Sequence, residues 1–166
     1  MKSIVLALTL AVGGSAAGAS RPLTPARFAT GHGWHTGSTR VHGCVGVPHC
    51  KQVESWAATV RSRDCGNCVP PHKTLATLPA AGVTIQLLLG RDAKTKRRPL
   101  LAWPPHIRGR EVVGPFEGGP AWISSAQRSG VLHGFDASLY VFFGRRHPSW
   151  AQLARANAEL RTARLP

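Results

Sequence analysis

The run Val83-Thr-Ile-Gln-Leu-Leu-Leu89 carries the strongest strand signal in the chain. Gly82 introduces it, and its alternate residues are apolar, as in a strand with one face on a core. A second run, Leu139-Tyr-Val-Phe-Phe143, is apolar on both faces and therefore predicts a central strand. These two runs predict a β-sheet at the centre of the fold.

The C-terminal segment predicts a helix that packs on this sheet. Pro148 breaks the chain, and Ser149 and Gln152 then form a Ser-x-x-Gln capping box. The apolar residues that follow have helical spacing and would form the buried stripe: Trp150, Leu153, Ala156 and Leu160. The predicted fold class is α+β, a mainly antiparallel sheet with one C-terminal helix packed on a face.

Weaker signals fill the space between these elements. Lys73–Leu78 predicts a short helix, Pro99–Trp103 a short edge strand, and Arg108–Pro120 a glycine-rich loop. Ala121–Arg128 and Val131–Phe135 are further strand candidates. No internal repeat or linker is evident, so residues 20–166 are expected to form a single globular domain.

The N-terminus is typical of a secretory signal peptide. Lys2 supplies a positive charge, Ile4 to Val12 is a short apolar run, and Ala17-Gly18-Ala19 is a small-residue cleavage site. We expect cleavage after Ala19, so that residues 1–19 are removed and the mature protein is secreted, extracellular or periplasmic. No second long apolar segment follows, and we therefore expect no transmembrane segment in the mature chain.

Two segments near the start of the mature chain predict a β-hairpin. His32–His42 and Gln52–Ser62 are strand-like, and the turn-rich segment Gly43–Lys51 would be the loop between them. We expect His42 to face Gln52 across this hairpin.

That pairing makes two further predictions. Trp34 would face Val60 and share one face of the hairpin with Trp56. Cys44 and Cys50 would sit together at the neck of the loop.

All four cysteines lie in this N-terminal part, and an even number in a short secreted chain predicts disulfides. Four cysteines permit three pairings, and the hairpin favours Cys44–Cys50 together with Cys65–Cys68. A straight strand would separate Cys50 from Cys65 by more than a disulfide spans. Each short loop would contribute roughly 2–2.5 kcal/mol of stability.

Two alternatives use the Cys65-x-x-Cys68 segment. A tetrahedral zinc site would take Cys65, Cys68, His72 and His32 as ligands, since two thiolates and two imidazoles complete a zinc shell. A thiol-redox site would use Cys65 and Cys68 at the start of the short helix. Disulfides are the preferred interpretation because cysteines in an oxidising compartment usually pair with each other.

The strongest bulk signal is charge. Lys and Arg number 21 against 7 Asp and Glu, a net charge of +14 that falls by one unit without Lys2. Such a chain attracts anionic polymers or surfaces: nucleic acid, acidic lipid headgroups or cell-wall polymers. The basic residues that would hold an anion are Arg91, Lys94, Lys96, Arg97, Arg98, Arg108, Arg110, Arg145 and Arg146.

Two tryptophans, Trp103 and Trp150, are interleaved with these basic residues. Arginine and tryptophan together hold phosphates and stack on bases or sugars. The plainer interpretation, which we favour from sequence alone, is a solvated basic face with both tryptophans in the core.

Catalytic templates are not met: the chain lacks a Gly-x-Ser-x-Gly elbow, a His-Glu-x-x-His motif and a glycine-rich phosphate loop. Glu111 and Glu117 are carboxylates in a glycine-rich segment and are expected to be solvated. The sequence therefore predicts a secreted, disulfide-stabilised, basic binding or structural domain without enzymatic activity or cofactor. Its expected partner is an anionic polymer or cell-surface component, and the alternative is a zinc-binding or thiol-redox protein.

Overall fold

The computed structural model describes residues 22–29, 31–44, 47–62, 71–91, 98–116 and 119–166, with the main chain alone at 42–44 and 47–50. Within these ranges the strands are β1 His35–Cys44, β2 Val47–Ala58, β3 Val83–Gly90, β4 Ser124–Leu132 and β5 Phe135–Phe143. They form one antiparallel sheet in the order β1-β2-β3-β5-β4. The helices of these ranges are α1 His72–Ala76, the 3-10 turn Gly109–Glu111 and α2 Trp150–Thr162.

The two apolar runs of the sequence lie at the centre of this sheet. Strand β3 pairs with β5 from Val83 opposite Phe143 to Gly90 opposite Asp136. Every residue of β3 is buried because both of its faces are covered. The predictions of a strand at Val83–Leu89 and of a central strand at Leu139–Phe143 are confirmed.

One face of the sheet carries the main core, and α2 packs on this face. Leu153, Ala156 and Leu160 of the helix join the inward side chains of β2, β3, β4 and β5 in one cluster. The capping box is formed as predicted: the Gln152 amide N–H donates to Ser149 Oγ at 3.3 Å, and the Ser149 N–H donates to Gln152 Oε1 at 3.0 Å. The α+β prediction with a C-terminal helix is confirmed; the disulfide staple stays a prediction.

The opposite face of the sheet carries a smaller cluster. Leu75 and Leu78, in and just after α1, pack with Ile123 and Phe142. The predicted short helix is therefore present, although it spans only His72–Ala76.

The boundaries predicted for the fourth and fifth strands were wrong. Strand β4 continues through Gly130, and the hairpin turn falls at His133 and Gly134, whose φ angles are 50° and 85°. Gly130 lies within the strand, where the main chain of Pro99 passes close to it. A Cβ at this position would lie 2.6 Å from the Pro99 oxygen, so only glycine fits. The predicted edge strand at Pro99–Trp103 is reduced to one parallel bridge of Leu100 with Val131.

The predicted loop and pairing of the N-terminal hairpin were also wrong. The strands continue through most of Gly43–Lys51, and His42 faces Lys51 with a register shift before Cys44. Proline and glycine suggested a loop there, but β3 reaches along β2 only as far as Gln52. Beyond that point β2 has a neighbour on one side among the described strands, and a strand edge accommodates proline.

The two tryptophans of this hairpin do not share a face. Trp56 lies over Gly37, where a Cβ would come within 2.4 Å of its ring. Trp34 precedes β1 and packs against the main core, with the Arg155 guanidinium 5.2 Å from its ring centroid. The one-residue change of register separates them, because neighbouring positions of a strand face opposite sides.

Candidate functional site

A groove lies between the first two turns of α2 and residues 106–110, a loop that continues into the 3-10 turn. Its volume is about 650 Å³. The loop contributes His106, Ile107, Arg108, Gly109 and Arg110, and the helix contributes Trp150, Leu153, Ala154 and Asn157. We call this the Trp150 groove.

Trp150 is the residue for which the favoured sequence interpretation was wrong. It was expected in the buried stripe of the helix, yet 87% of it is exposed. Leu153, one turn further on, is buried in the main core. Trp103, the other tryptophan of the basic segments, was also expected in the core; it is half-buried and packs against the core cluster. An exposed indole of this size marks a binding surface more often than an isolated small apolar residue does.

Asn157 ties the loop to the helix. Its Oδ1 accepts a hydrogen bond from the Ile107 N–H at 2.7 Å, and its Nδ2 donates to the Ile107 carbonyl at 2.9 Å. The side-chain amide thus pairs with both main-chain groups of Ile107, as a neighbouring strand would. Both residues are buried, so these bonds replace ones that water would otherwise make.

A second anchor holds the other side of the loop. Arg128, on β4, donates to Oε1 and Oε2 of Glu111, both at 2.8 Å, and also to the His106 carbonyl at 3.1 Å. Glu111 Oε2 accepts from the Arg108 main-chain N–H at 3.1 Å. The hydrogen bond from Arg128 lowers the pKa of Glu111 below its ordinary value. Glu111 is therefore an engaged anchor, which corrects its interpretation as a solvated carboxylate.

The two arginines of the groove are exposed and have no such anchor. Neither the Arg108 nor the Arg110 guanidinium forms a hydrogen bond or salt bridge with a residue that the structure describes. Both side chains line the Trp150 groove, and the positive charge of Arg108 adds to the Arg128 hydrogen bond in lowering the pKa of Glu111. The loop thus presents two cations on a main chain fixed at Ile107 and Glu111.

Other members of the predicted anion-binding set are engaged with the protein itself. The Arg98 guanidinium forms a salt bridge of 2.8 Å with Asp136. The Arg91 guanidinium lies 6.0 Å from the Phe135 ring centroid. Both residues lie where β3 ends and β5 begins, whereas α2 follows the other end of β5. The predicted basic set therefore comprises at least two separate regions.

The remaining members of the predicted anion-binding set are two exposed arginines and three residues outside the described ranges. Arg145 and Arg146 are exposed in the segment before α2, and the Arg145 Nε donates to the Ala80 carbonyl at 3.1 Å. Lys94, Lys96 and Arg97 lie outside the described residues, as does Glu117.

The cysteine predictions also fall outside the described part of the chain. Cys65 and Cys68 are not among the described residues, and of Cys44 and Cys50 the main chain alone is described. Both proposed disulfides, the zinc site and the redox site stay predictions. Among the described residues no three His, Cys, Asp or Glu side chains form a group suited to a metal ion.

The two histidines proposed as zinc ligands are both exposed. His32 precedes Gly33, whose carbonyl accepts from Arg155 of α2 at 2.9 Å. His72 begins α1, and Leu75 of the same helix packs in the cluster on the opposite face of the sheet. The elements on which these histidines lie are thus anchored to different faces.

One buried polar pair was missed by the sequence analysis. Gln86 Nε2 on β3 donates to Glu54 Oε1 on β2 at 2.8 Å, and both side chains are buried on the face away from α2. A glutamine in the middle of the apolar run Val83–Leu89 is the signal that was available. A buried amide needs a partner, and the neighbouring strand supplies one.

Comparison with known proteins yields no relative from which a function can be transferred. No protein-family model, curated protein or solved structure matches this chain. In the described part of the chain, none of the helices has the length and apolar character required to cross a membrane.

Proposed function

We propose that this protein is a secreted, disulfide-stabilised, basic binding domain that engages an anionic polymer or cell-surface component through the Trp150 groove. The observation that carries the proposal is the exposed Trp150 ring beside the exposed guanidinium groups of Arg108 and Arg110. No zinc or other cofactor is needed for this function.

Electrostatics supports this function at two ranges. The net charge of +14 attracts polyanions before contact, over about a Debye length of 8 Å at physiological salt. At contact, guanidinium groups form paired hydrogen bonds with phosphate, sulfate or carboxylate oxygens. Two arginines separated by one glycine would engage successive anionic groups of a polymer.

The anchoring of the loop favours binding as well. Asn157 holds Ile107, and Arg128 holds Glu111, so the main chain that bears Arg108 and Arg110 is ordered before a ligand arrives. A site that is already ordered loses less conformational entropy on binding and therefore binds more tightly.

The chemistry of the groove favours binding over catalysis. Its titratable lining residues are His106, Arg108 and Arg110, and the nearby carboxylate of Glu111 is occupied by Arg128. A general acid–base pair needs a second titratable group with a free hydrogen-bonding position near the substrate. We therefore propose a non-enzymatic role.

Salt-dependent retention on an immobilised polyanion tests the proposal. The double variant Arg108→Ala/Arg110→Ala should elute at lower salt than wild type. The matched control is Arg40→Ala/Arg61→Ala, which removes the same charge from exposed positions outside the groove. Equal elution of the two double variants would mean that net charge alone causes retention and that the groove is not the site.

Secretion and disulfides are tested on exported protein. N-terminal sequencing should begin at Ser20, and the intact mass should be four hydrogens below that of the reduced chain, a consequence of two disulfides. Protease mapping should recover Cys44–Cys50 and Cys65–Cys68. Free thiols released by a chelator, with one metal per chain, would instead support the zinc alternative.

A further inference from the structure

We propose that the ligand of the Trp150 groove is single-stranded nucleic acid, with one base stacked on Trp150 and neighbouring phosphates on Arg108 and Arg110. The inference rests on the proposed function and narrows the anionic polymer to one chemical class.

The first step is the combination of a flat apolar platform with cations. The Trp150 indole and Ala154 are exposed, and the groove beside them is also lined by the largely buried side chains of Ile107 and Leu153. A polymer that carries charge alone, such as polyphosphate, would use the two arginines and leave this apolar surface in water. A ligand that covers both surfaces must have an apolar or aromatic group beside its anionic groups, and a flat ring suits the exposed face of an indole. Base stacking on an aromatic side chain next to a basic groove is the common mode of binding to single strands.

The second step separates nucleobases from sugars. A pyranose ring has several hydroxyl groups, which need both donors and acceptors when they enter a site. Both functional groups of Asn157 are used by Ile107, and both Glu111 oxygens are used by Arg128. Arginine side chains only donate. The groove thus offers a sugar few side-chain acceptors, whereas a base needs only a surface on which its flat face can stack.

The third step concerns specificity. Readout of base edges uses side chains that pair in a defined pattern, such as a free asparagine or glutamine. Asn157, the amide that lines the groove, is engaged by the main chain, and Arg108 and Arg110, which could otherwise pair with a guanine edge, are assigned to phosphates in this proposal. We therefore expect sequence-tolerant binding. We also expect a preference for single strands over duplex, because a paired base cannot leave its stack without a cost in free energy.

Fluorescence anisotropy with two probes of equal length tests the inference: oligothymidylate and an oligonucleotide whose sites are all abasic. The probes have the same phosphates and differ in their bases. Wild type should bind oligothymidylate more tightly. Trp150→Ala should weaken that binding about 5- to 150-fold, the effect of removing one stacking aromatic, and should leave the abasic probe unaffected.

Two controls accompany this measurement. Trp122→Ala removes another exposed tryptophan, outside the groove lining, and should change neither affinity. Trp150→Phe retains an aromatic face and should therefore lose less affinity than Trp150→Ala.

The phosphate contacts are tested by Arg108→Ala/Arg110→Ala, which should weaken the binding of both probes. It should also reduce the salt dependence of binding, by about 0.7 in log–log slope for each phosphate contact that is lost.

The outcomes separate the two proposals. Equal affinity for the two probes, or a Trp150→Ala loss that is the same for both, would overturn the nucleic-acid inference; a selective effect of Arg108→Ala/Arg110→Ala would still support the anionic-polymer function. Tighter binding of a sulfated polysaccharide, weakened by Trp150→Ala, would overturn the inference in favour of a sugar ligand. If Arg108→Ala/Arg110→Ala binds every probe as tightly as wild type, both the nucleic-acid inference and the anionic-polymer function would be overturned.

Discussion

Helix α2 carries apolar side chains whose environments differ between its first turn and the rest of its length. Leu160 and Ala156 are completely buried against the sheet, whereas Trp150, in the first turn of the same helix, is 87% exposed. All three have the helical spacing of one predicted stripe. The stripe correctly identified the docked part of the helix but did not show where the docking surface ends.

The position of the first turn explains this difference. The Gln152 side chain donates to the carbonyls of Ala80 and Gly82, just before β3 begins. The first turn of α2 therefore lies at the rim of the sheet. Trp150 is left exposed in this turn, and it lines the groove together with the loop of Arg108. An apolar residue at the rim of a core is available for a ligand, whereas one above the sheet stabilises the fold.

Replacing a docked leucine should have the largest effect on stability. Leu160→Ala should lower the free energy of unfolding by about 2–5 kcal/mol, because it removes a completely buried side chain and leaves a cavity. Trp150→Ala should change it by less than about 0.5 kcal/mol, since the ring is solvated. Urea unfolding of both variants measures the contrast. A loss at Trp150 as large as that at Leu160 would show that the tryptophan is part of the core.

Removing the amide between loop and helix should have the next largest effect. Asn157→Ala leaves the buried N–H and carbonyl of Ile107 without partners and should cost about 1–3 kcal/mol. It should also weaken polyanion binding, because Arg108 loses its fixed main chain. Arg161→Ala, at an exposed position of the same helix, is the control and should change stability little. If Asn157→Ala binds polyanions as tightly as wild type, a fixed loop is not required for binding.

The helix cap should contribute less. Ser149→Ala removes the hydroxyl that accepts from the Gln152 N–H and should cost about 1 kcal/mol. Ser149→Asp keeps an acceptor at the N-cap and should be close to wild type in the same thermal or urea unfolding. If alanine and aspartate have equal effects, the cap does not stabilise α2.

The acid dependence of the loop anchor should be the smallest effect. The pKa of Glu111 is lowered in the folded state by its hydrogen bond from Arg128. Its contribution is therefore present above the unfolded-state pKa and is lost as pH falls through the lower folded-state value. Glu111→Gln should reduce stability at neutral pH by less than about 1 kcal/mol, because the pair is partly exposed. The difference from wild type should vanish in acid.

Glu159 provides a control of opposite sign. Burial raises the pKa of Glu159. Its carboxyl therefore favours the fold below the unfolded-state pKa, and that contribution is lost as pH rises through the folded-state pKa. Glu159→Gln should increase stability at neutral pH relative to acid. Unfolding curves of both variants that respond to pH in the same direction would contradict these assignments.

Local patterns were sufficient for much of the fold. The runs at Val83–Leu89 and Leu139–Phe143 became central strands, and Ser149 with Gln152 formed the predicted cap. These elements depend on alternation, capping chemistry and apolar runs, which neighbouring residues determine. The hairpin pairing failed because register depends on both strands, and a shift of one residue moves Trp34 and Trp56 to opposite faces.

By itself the sequence determined a basic chain with an α+β sheet, a capped C-terminal helix and a candidate set of arginines and tryptophans. The tertiary structure alone decided which of them form a site. It paired Arg98 with Asp136, left Arg108 and Arg110 exposed, and brought the loop at Ile107 to Asn157, fifty positions away along the chain. Such contacts depend on how the first turn of α2 and the loop are positioned on the sheet. Neighbouring residues in the sequence do not determine that position, so the exposure of Trp150 is decided only by the packing of the helix on the sheet.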